Sequence, residues 1–200
     1  SRAVLIRGEA GIGKSRLVRA LAEQVAGRAF LAREYRCLAS QQATPYHPLL
    51  VGLPRLFGLS PDMPADQALE RIEGYVDAIP AAPQPAAYLV GRLLGLPVKE
   101  YYPDPGLTPQ EEKRRTLELV MALAVHRGQG KPQVLVIEDL HWADPSTLEL
   151  VRYTLEAMAG IPLLFVVTSR EPLAFGEGVE ELVLDPLAAR ASARAGHPDA

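Results

Sequence analysis

The chain has 200 residues, 48% of them hydrophobic, which is enough for one compact domain with a full core. Its 21 basic and 24 acidic side chains leave a net charge of −3, which argues against a basic face for nucleic acid. The longest apolar run, residues 161–167, is too short to cross a bilayer, and a single buried cysteine, Cys37, suits a reducing cytoplasm. We therefore expect a cytoplasmic module that contacts neither nucleic acid nor membrane directly.

The chain is predicted to begin with a strand followed by a helix. Residues 3–6 form an apolar run, which predicts a short buried strand over residues 3–7. Leu17, Leu21 and Val25 recur at four-residue spacing and predict a helix from residue 14 to residue 25. A start inside a strand, together with an alanine-rich polar end over residues 190–200, suggests a fragment of a longer protein.

The segment between this strand and helix matches the phosphate-binding loop pattern. With the residue that follows, it comprises Gly8, Glu9, Ala10, Gly11, Ile12, Gly13, Lys14, Ser15 and Arg16. Glycines let successive backbone N–H groups point at an anion, and the start of the helix adds the positive end of its dipole. We expect Lys14 to reach the β- and γ-phosphates of ATP or ADP, and the Ser15 hydroxyl to ligate Mg²⁺. The alternative is a glycine-rich turn with an incidental lysine, which the flanking strand and helix argue against.

A second strand is predicted at residues 30–37, and regularity is then lost until about residue 106. Prolines recur through this region and permit only short helices, for example over residues 65–78 and 86–94. Apolar runs on both sides of its most linker-like segment argue against a domain boundary. We interpret residues 45–106 as a helical insertion packed on a sheet.

Regular structure returns at Thr108, where "TPQE" predicts a capped helix. The strand "QVLVIED", a helix opening at "ADPSTLEL" and the strands "IPLLFVVTSR" and "VEELVLDPL" follow in that order. Strands that are apolar throughout and alternate with helices indicate a parallel sheet covered on both faces. The predicted fold is therefore a three-layer α/β fold.

Two carboxylates, Glu138 and Asp139, end the strand "QVLVIED". Ligands bind at the carboxyl edge of such a sheet, and Mg²⁺ on a triphosphate prefers oxygen ligands. We expect Glu138 to hold Mg²⁺, directly or through one of its waters, and Asp139 to polarise the attacking water. A solvated acidic helix cap is the alternative, and the phosphate-binding loop argues against it.

Three segments together carry a family resemblance: "GEAGIGKSRL", residues 135–155 and "LLFVVTSREP". They resemble the STAND class of P-loop ATPases, which are AAA-related signalling ATPases. Such domains occur in large LuxR-type transcriptional regulators and beside bacterial adenylate or guanylate cyclase domains. The segment "ATPYHPL" resembles the one that these domains carry after their second strand.

The resemblance implies an AAA/ASCE-like P-loop NTPase fold with a five-stranded parallel sheet. Across the sheet, the implied order is the last strand of the chain, the first strand, "FVVTSR", "VLVIED" and then the second strand at the edge. It also implies that Arg170 lies near the γ-phosphate, where a guanidinium distinguishes ATP from ADP. A surface arginine is the alternative for Arg170, and Asp144 is expected to cap the following helix. The implied ATPase domain spans residues 1–188, and a flexible tail is expected at 189–200. The resemblance also implies attached sensor and effector domains of DNA-binding or cyclase type, and self-association that depends on the bound nucleotide.

Two departures from the family concern the acids. Most P-loop ATPases have aspartate where this chain has Glu138, and vigorous AAA machines have glutamate where it has Asp139. Both differences suit a slow ATP-hydrolysing switch with low turnover. Three alternatives stay open. The first is an AAA-type motor or loader, in which Arg152 or Arg127 would act in trans. The others are a small-molecule kinase and a non-hydrolysing switch.

Overall fold

The structure is a computed structural model and describes residues 1–25, 31–176 and 178–185. Its strands within these ranges are β1 (Arg2–Arg7), β2 (Leu31–Arg36), β3 (Gln133–Glu138), β4 (Leu163–Ser169) and β5 (Val179–Val183). Its helices there are α1 (Lys14–Val25), α2 (His47–Phe57), α3 (Ala65–Val76), α4 (Ala86–Leu93), α5 (Pro109–Gly128) and α6 (Pro145–Ala157). The predicted start of the second strand at residue 30 and the predicted tail at 189–200 lie outside the described residues.

All five strands are parallel and lie side by side in the order β2-β3-β4-β1-β5. This confirms the predicted five-stranded sheet and its order. The central strands β3 and β4 are buried almost throughout, because each has a strand on either side and helices above and below. At the edge, β2 alternates between half-buried and exposed residues, and β5 is largely exposed.

Helices cover both faces of the sheet and produce the predicted three layers. On one face, α1 buries Val18 against Ile6 and Val136. On the opposite face, α6 buries Val151 against Leu5 and Phe165. The carboxyl ends of the strands therefore open between two helical layers, as in other open α/β folds.

A second apolar cluster joins α2, α3 and α4 to the middle of α5. Its most buried members include Ile72 of α3, Leu89 of α4 and Leu119 of α5. The helices predicted over 65–78 and 86–94 are confirmed and end slightly earlier, at Val76 and Leu93.

Helix α2 was missed by the sequence analysis because its prolines were interpreted as breaks. Pro48 occupies the first turn, where a helix needs no backbone donor, and Pro54 lies inside the last turns. The helix ends at Gly58, whose left-handed backbone forms a C-cap. Packing of Leu53 and Phe57 into the second cluster supports the helix in spite of Pro54.

Helix α5 starts where the sequence predicted. The Thr108 hydroxyl accepts from the Glu111 N–H, and the Glu111 carboxylate accepts from the Thr108 N–H at 2.8 Å. This reciprocal pair is the expected capping box.

In the part of the chain that the structure describes, every helix is too short or too polar to cross a membrane.

Candidate nucleotide-binding site

The loop that follows β1 needs glycine at three positions. A Cβ at Gly8 would come within 2.9 Å of the Leu184 carbonyl oxygen, so the backbone that directly follows β5 leaves no room for a side chain there. Gly11 and Gly13 have φ angles of 77° and 108°, which side-chain-bearing residues rarely adopt. Their outer sides face open space, because no atom lies within 4 Å of a Cβ built at either position. The loop therefore presents bare backbone to any ligand above it.

Lys14 begins α1 and folds back over this loop. Its ammonium donates to the carbonyl oxygens of Gly8 at 2.6 Å and Glu9 at 2.9 Å. Burial lowers the pKa of Lys14, and the charge of Arg170 acts in the same direction. The negative charge of Asp139 acts in the opposite direction, but the pKa of Lys14 is lowered overall.

Ser15 and Glu138 connect the loop to the end of β3. The Ser15 hydroxyl donates to Glu138 Oε2 at 2.5 Å, although the two residues are 123 positions apart in the sequence. Glu138 is only 2% exposed, and its carboxylate is held at the carboxyl edge of the sheet. The two predicted magnesium ligands are therefore neighbours in the folded chain.

Arg36, at the end of β2, pairs with both predicted acids and was missed by the sequence analysis. Its guanidinium lies 3.0 Å from Glu138 Oε2 and 3.5 Å from Asp139 Oδ2. Parallel pairing of β2 with β3 places Arg36 directly opposite Glu138. The available signal was a basic residue ending a strand beside the acidic one.

Glu34 lies on the same face of β2 as Arg36. Interaction with Glu138, followed by burial, raises the pKa of Glu34. Burial tends to raise the pKa of Glu138, but the net effect lowers it, with hydrogen bonds from the Ser15 hydroxyl and the Arg36 guanidinium among the causes. Glu138 is therefore held as a buried carboxylate anion.

Asp139 turns the chain away from β3 in a left-handed conformation with a φ of 57°. Aspartate tolerates this region better than most residues. Its N–H donates to the Thr168 hydroxyl at 2.9 Å, which ties the turn to β4. Thr168 is almost fully buried at the end of an apolar run, and that polar residue was a signal that sequence reasoning passed over.

Arg170 directly follows β4, and its side chain is exposed. Its N–H donates to His141 Nδ1 at 3.4 Å, and the His141 ring packs on Trp142 with centroids 4.8 Å apart. Burial lowers the pKa of His141, which favours the neutral ring that accepts this hydrogen bond. The arrangement holds the backbone of Arg170 beside the turn after β3.

Asp144 caps α6, as the sequence predicted. Its carboxylate accepts from the N–H groups of Ser146 at 2.9 Å and Thr147 at 3.0 Å. It also accepts from the N–H of Tyr46 at 3.3 Å, in the segment that precedes α2. One buried carboxylate thereby joins the start of the helical region to the turn after β3.

The two arginines considered as trans-acting residues lie elsewhere. Both are exposed: Arg152 lies on α6 near the start of β1, away from the loop, and Arg127 lies near the end of α5. The structure therefore does not bring either of them to the chain's own phosphate-binding loop.

The residues at this edge suit a magnesium nucleotide. A hydroxyl and a buried carboxylate anion supply hard oxygen donors, and the ammonium of Lys14 and the bare loop backbone suit phosphates. Within the described ranges no group of three His, Cys, Asp or Glu side chains forms a metal cage. Mg²⁺ is commonly held with only one or two protein ligands when a phosphate and waters complete its shell.

Comparisons with known proteins agree with this chemistry. Residues 1–167 match the family described as the AAA ATPase domain. A Rhizobium meliloti (strain 1021) protein, "Uncharacterized protein R02095", is 32% identical over 176 residues. The match covers 84% of this chain and 16% of that protein, so the chain spans about a sixth of its relative's length.

Solved structures of distant proteins also align with the chain. The Aeropyrum pernix Orc1 protein, solved in complex with DNA, is 13% identical with a TM-score of 0.48; the alignment covers 94% of this chain and 40% of that one. Cdc6p from Pyrobaculum aerophilum is 14% identical with a TM-score of 0.38, covering 90% and 38% of the two chains.

Proposed function

The chain belongs to the AAA ATPase domain family, and from that premise we propose that it is a slow ATP-hydrolysing switch for an attached output domain. The observation that carries the proposal is the 2.5 Å hydrogen bond between Ser15 and Glu138. It joins the phosphate-binding loop to the acidic end of β3 in one site. A nucleotide there would meet phosphate donors and carboxylates together.

Each residue has a specific part in the proposed reaction. The loop N–H groups bind the phosphates, and Lys14 exchanges the carbonyl oxygens of Gly8 and Glu9 for phosphate oxygens. Ser15 and Glu138 would hold Mg²⁺, which neutralises phosphate charge when it is bound. Asp139 orients the attacking water.

Arg170 is proposed to stabilise the charge that develops on the γ-phosphate. The hydrogen bond from its N–H to His141 Nδ1, at 3.4 Å, supports a position beside the turn after β3.

Low turnover is supported by the state of the two acids. Arg36 pairs with both carboxylates, so each has a cation as its partner before any water is activated. Asp139 also has a shorter side chain than glutamate. A site of this kind favours long-lived nucleotide states, which a switch requires.

The attached domains are proposed from the length of the relative and from the STAND resemblance. R02095 continues far beyond the segment that matches this chain. We propose sensor and effector domains of DNA-binding or cyclase type, with self-association that depends on the bound nucleotide. The module itself would contact neither nucleic acid nor membrane directly.

Phosphate release and light scattering on the full-length protein test this function. We expect slow phosphate release from Mg-ATP without any acceptor molecule, and a different oligomer size with ATP than with ADP. Absence of phosphate release without an acceptor would contradict the ATPase and favour a kinase. Phosphate release with an identical oligomer size and output activity in ATP and ADP would contradict the switch alone.

A further inference from the structure

An apolar cavity of about 80 Å³ lies on the α6 face of the sheet, opposite α1. It is enclosed by β2 and β3 below and by α2, α5 and α6 above. Aliphatic side chains such as Leu53, Met121 and Leu135 form most of its wall. Both threonines in the wall have hydrogen-bond partners within the protein, since Thr147 donates to the Asp144 carboxylate and Thr154 donates to the Leu150 carbonyl oxygen at 2.8 Å.

One cationic side chain in this wall has an unused donor. Arg33 donates through Nη2 to the Gln133 amide oxygen, whereas its buried Nε has no hydrogen-bond partner among the described residues. Burial lowers the pKa of Arg33, and the charge of Arg127 in the same wall lowers it further.

Neither arginine has an acidic partner. No Asp or Glu lines the cavity, and none within residues 1–25, 31–176 and 178–185 lies within salt-bridge distance of Arg33 or Arg127. A partly buried guanidinium without a counter-ion is costly, because water no longer stabilises its charge fully.

The cavity wall is closely fitted around these groups. Gly128 leaves room for the Gln133 side chain, which a Cβ at that position would overlap. Gly52 likewise leaves room for the ring of Tyr35. The amide that holds Arg33 and the aromatic wall beside it therefore have fixed positions.

We propose that this cavity binds a small carboxylate with a short apolar tail. The carboxylate pairs with Arg33 and Arg127, because guanidinium groups match carboxylate oxygens well and neither of these two has an acidic partner among the described residues. The tail fills the aliphatic space. The volume is roughly five times the ~15 Å³ that one water needs, so only a short alkyl group fits.

The apolar wall disfavours a phosphate ester at the same place. A phosphate has three or four oxygens to satisfy, and most of the cavity wall is apolar carbon. The proposal does not depend on ATP binding or hydrolysis, since the cavity lies on the other face of the sheet from α1.

Titration calorimetry of the chain with hexanoate tests the proposal. We expect saturable one-to-one binding, and binding of 1-hexanol or methyl hexanoate weaker by at least roughly tenfold, because both lack the charge. Arg33→Met should lose hexanoate affinity by the same factor. The control Arg55→Met changes an exposed arginine of α2 outside the cavity wall, and it should bind hexanoate as the wild type does. Thermal melts of each variant verify folding.

Filling the cavity supplies a second route that leaves the arginines intact. Ala124→Leu places extra carbons in the wall and should abolish hexanoate binding. Unchanged binding in this variant would put the ligand elsewhere and overturn the proposal. Equal affinity for hexanoate and 1-hexanol would also overturn it, as would an absence of saturation.

Discussion

Replacing Asp139 with asparagine tests the division of labour between the two acids most directly. The change removes the negative charge and keeps the size and shape of the side chain. Asp139 has a φ of 57°, a region that asparagine also tolerates, so the turn and its hydrogen bond to Thr168 should persist. Alanine at this position would confuse lost charge with backbone strain of about 1–2 kcal/mol.

The expected effects on rate and stability differ greatly in size. A group that positions or activates water contributes about 10²–10⁴-fold to a rate, so phosphate release should fall by that factor. The ion pair lost with Arg36 is 3.5 Å long and lies between side chains that are 51% and 26% exposed. The free energy of unfolding should therefore fall by about 1 kcal/mol or less. ATP affinity should hold or rise, because one negative charge near the triphosphate is removed.

Single-turnover phosphate release and ATP titration, measured on the same preparations, separate these effects. Glu149→Gln is the matched control, because it neutralises an acid on α6 whose ion pair, among the described residues, is with the exposed Lys113. We expect the control to release phosphate at the wild-type rate. Normal turnover in Asp139→Asn would refute the assigned role, and equal losses of binding and turnover would indicate structural damage instead.

Three further substitutions and the buried thiol of Cys37 have defined outcomes. Lys14→Ala should weaken ATP binding roughly tenfold or more by calorimetry, because a charge-assisted contact is lost, and equal affinities would reject the site. Glu138→Gln should remove most of the Mg²⁺ dependence of ATP binding, which titrations with and without the ion would measure. Asp144→Ala should lower the free energy of unfolding by about 1–3 kcal/mol in urea, since three N–H groups lose their acceptor. Burial raises the pKa of Cys37 to about 12, so iodoacetamide should label it quickly only after unfolding. An unfolded thiol ionises at about pH 8.5, whereas the buried thiol keeps its proton to higher pH. The Cys37 contribution should therefore lower the free energy of unfolding as the pH rises from there toward 12.

Much of the fold was predictable because it depends on local patterns. The apolar runs of β3 and β4 identify buried strands in any context, and the "TPQE" box specifies the start of α5 from four adjacent residues. Helix α2 shows where this reasoning fails. Proline propensity argued against it, and the burial of Leu53 and Phe57 against α3 and α5 outweighed that local cost.

Part of the candidate site was likewise readable from residue types and spacing. The phosphate-binding loop is one continuous segment, so its glycines, Lys14 and Ser15 were identifiable together. The closeness of Glu138 followed from the expected sheet order, and the hydrogen bond from Ser15 agrees with it. By contrast, the sequence alone did not indicate which side chains would partner the acids.

The strand β2 shows the division between what the sequence by itself determined and what only tertiary structure decided. Its letters "LAREYR" predict a strand, but they do not distinguish its two arginines. Alternation of side chains sends Arg33 toward the cavity and Arg36 toward the opposite face. The parallel register with β3 then sets Arg36 opposite Glu138. A shift of one residue would exchange the faces, because side chains alternate with a period of two. Residue type and periodicity are thus local properties of the sequence, whereas partners across the sheet depend on a register that only the packed structure sets.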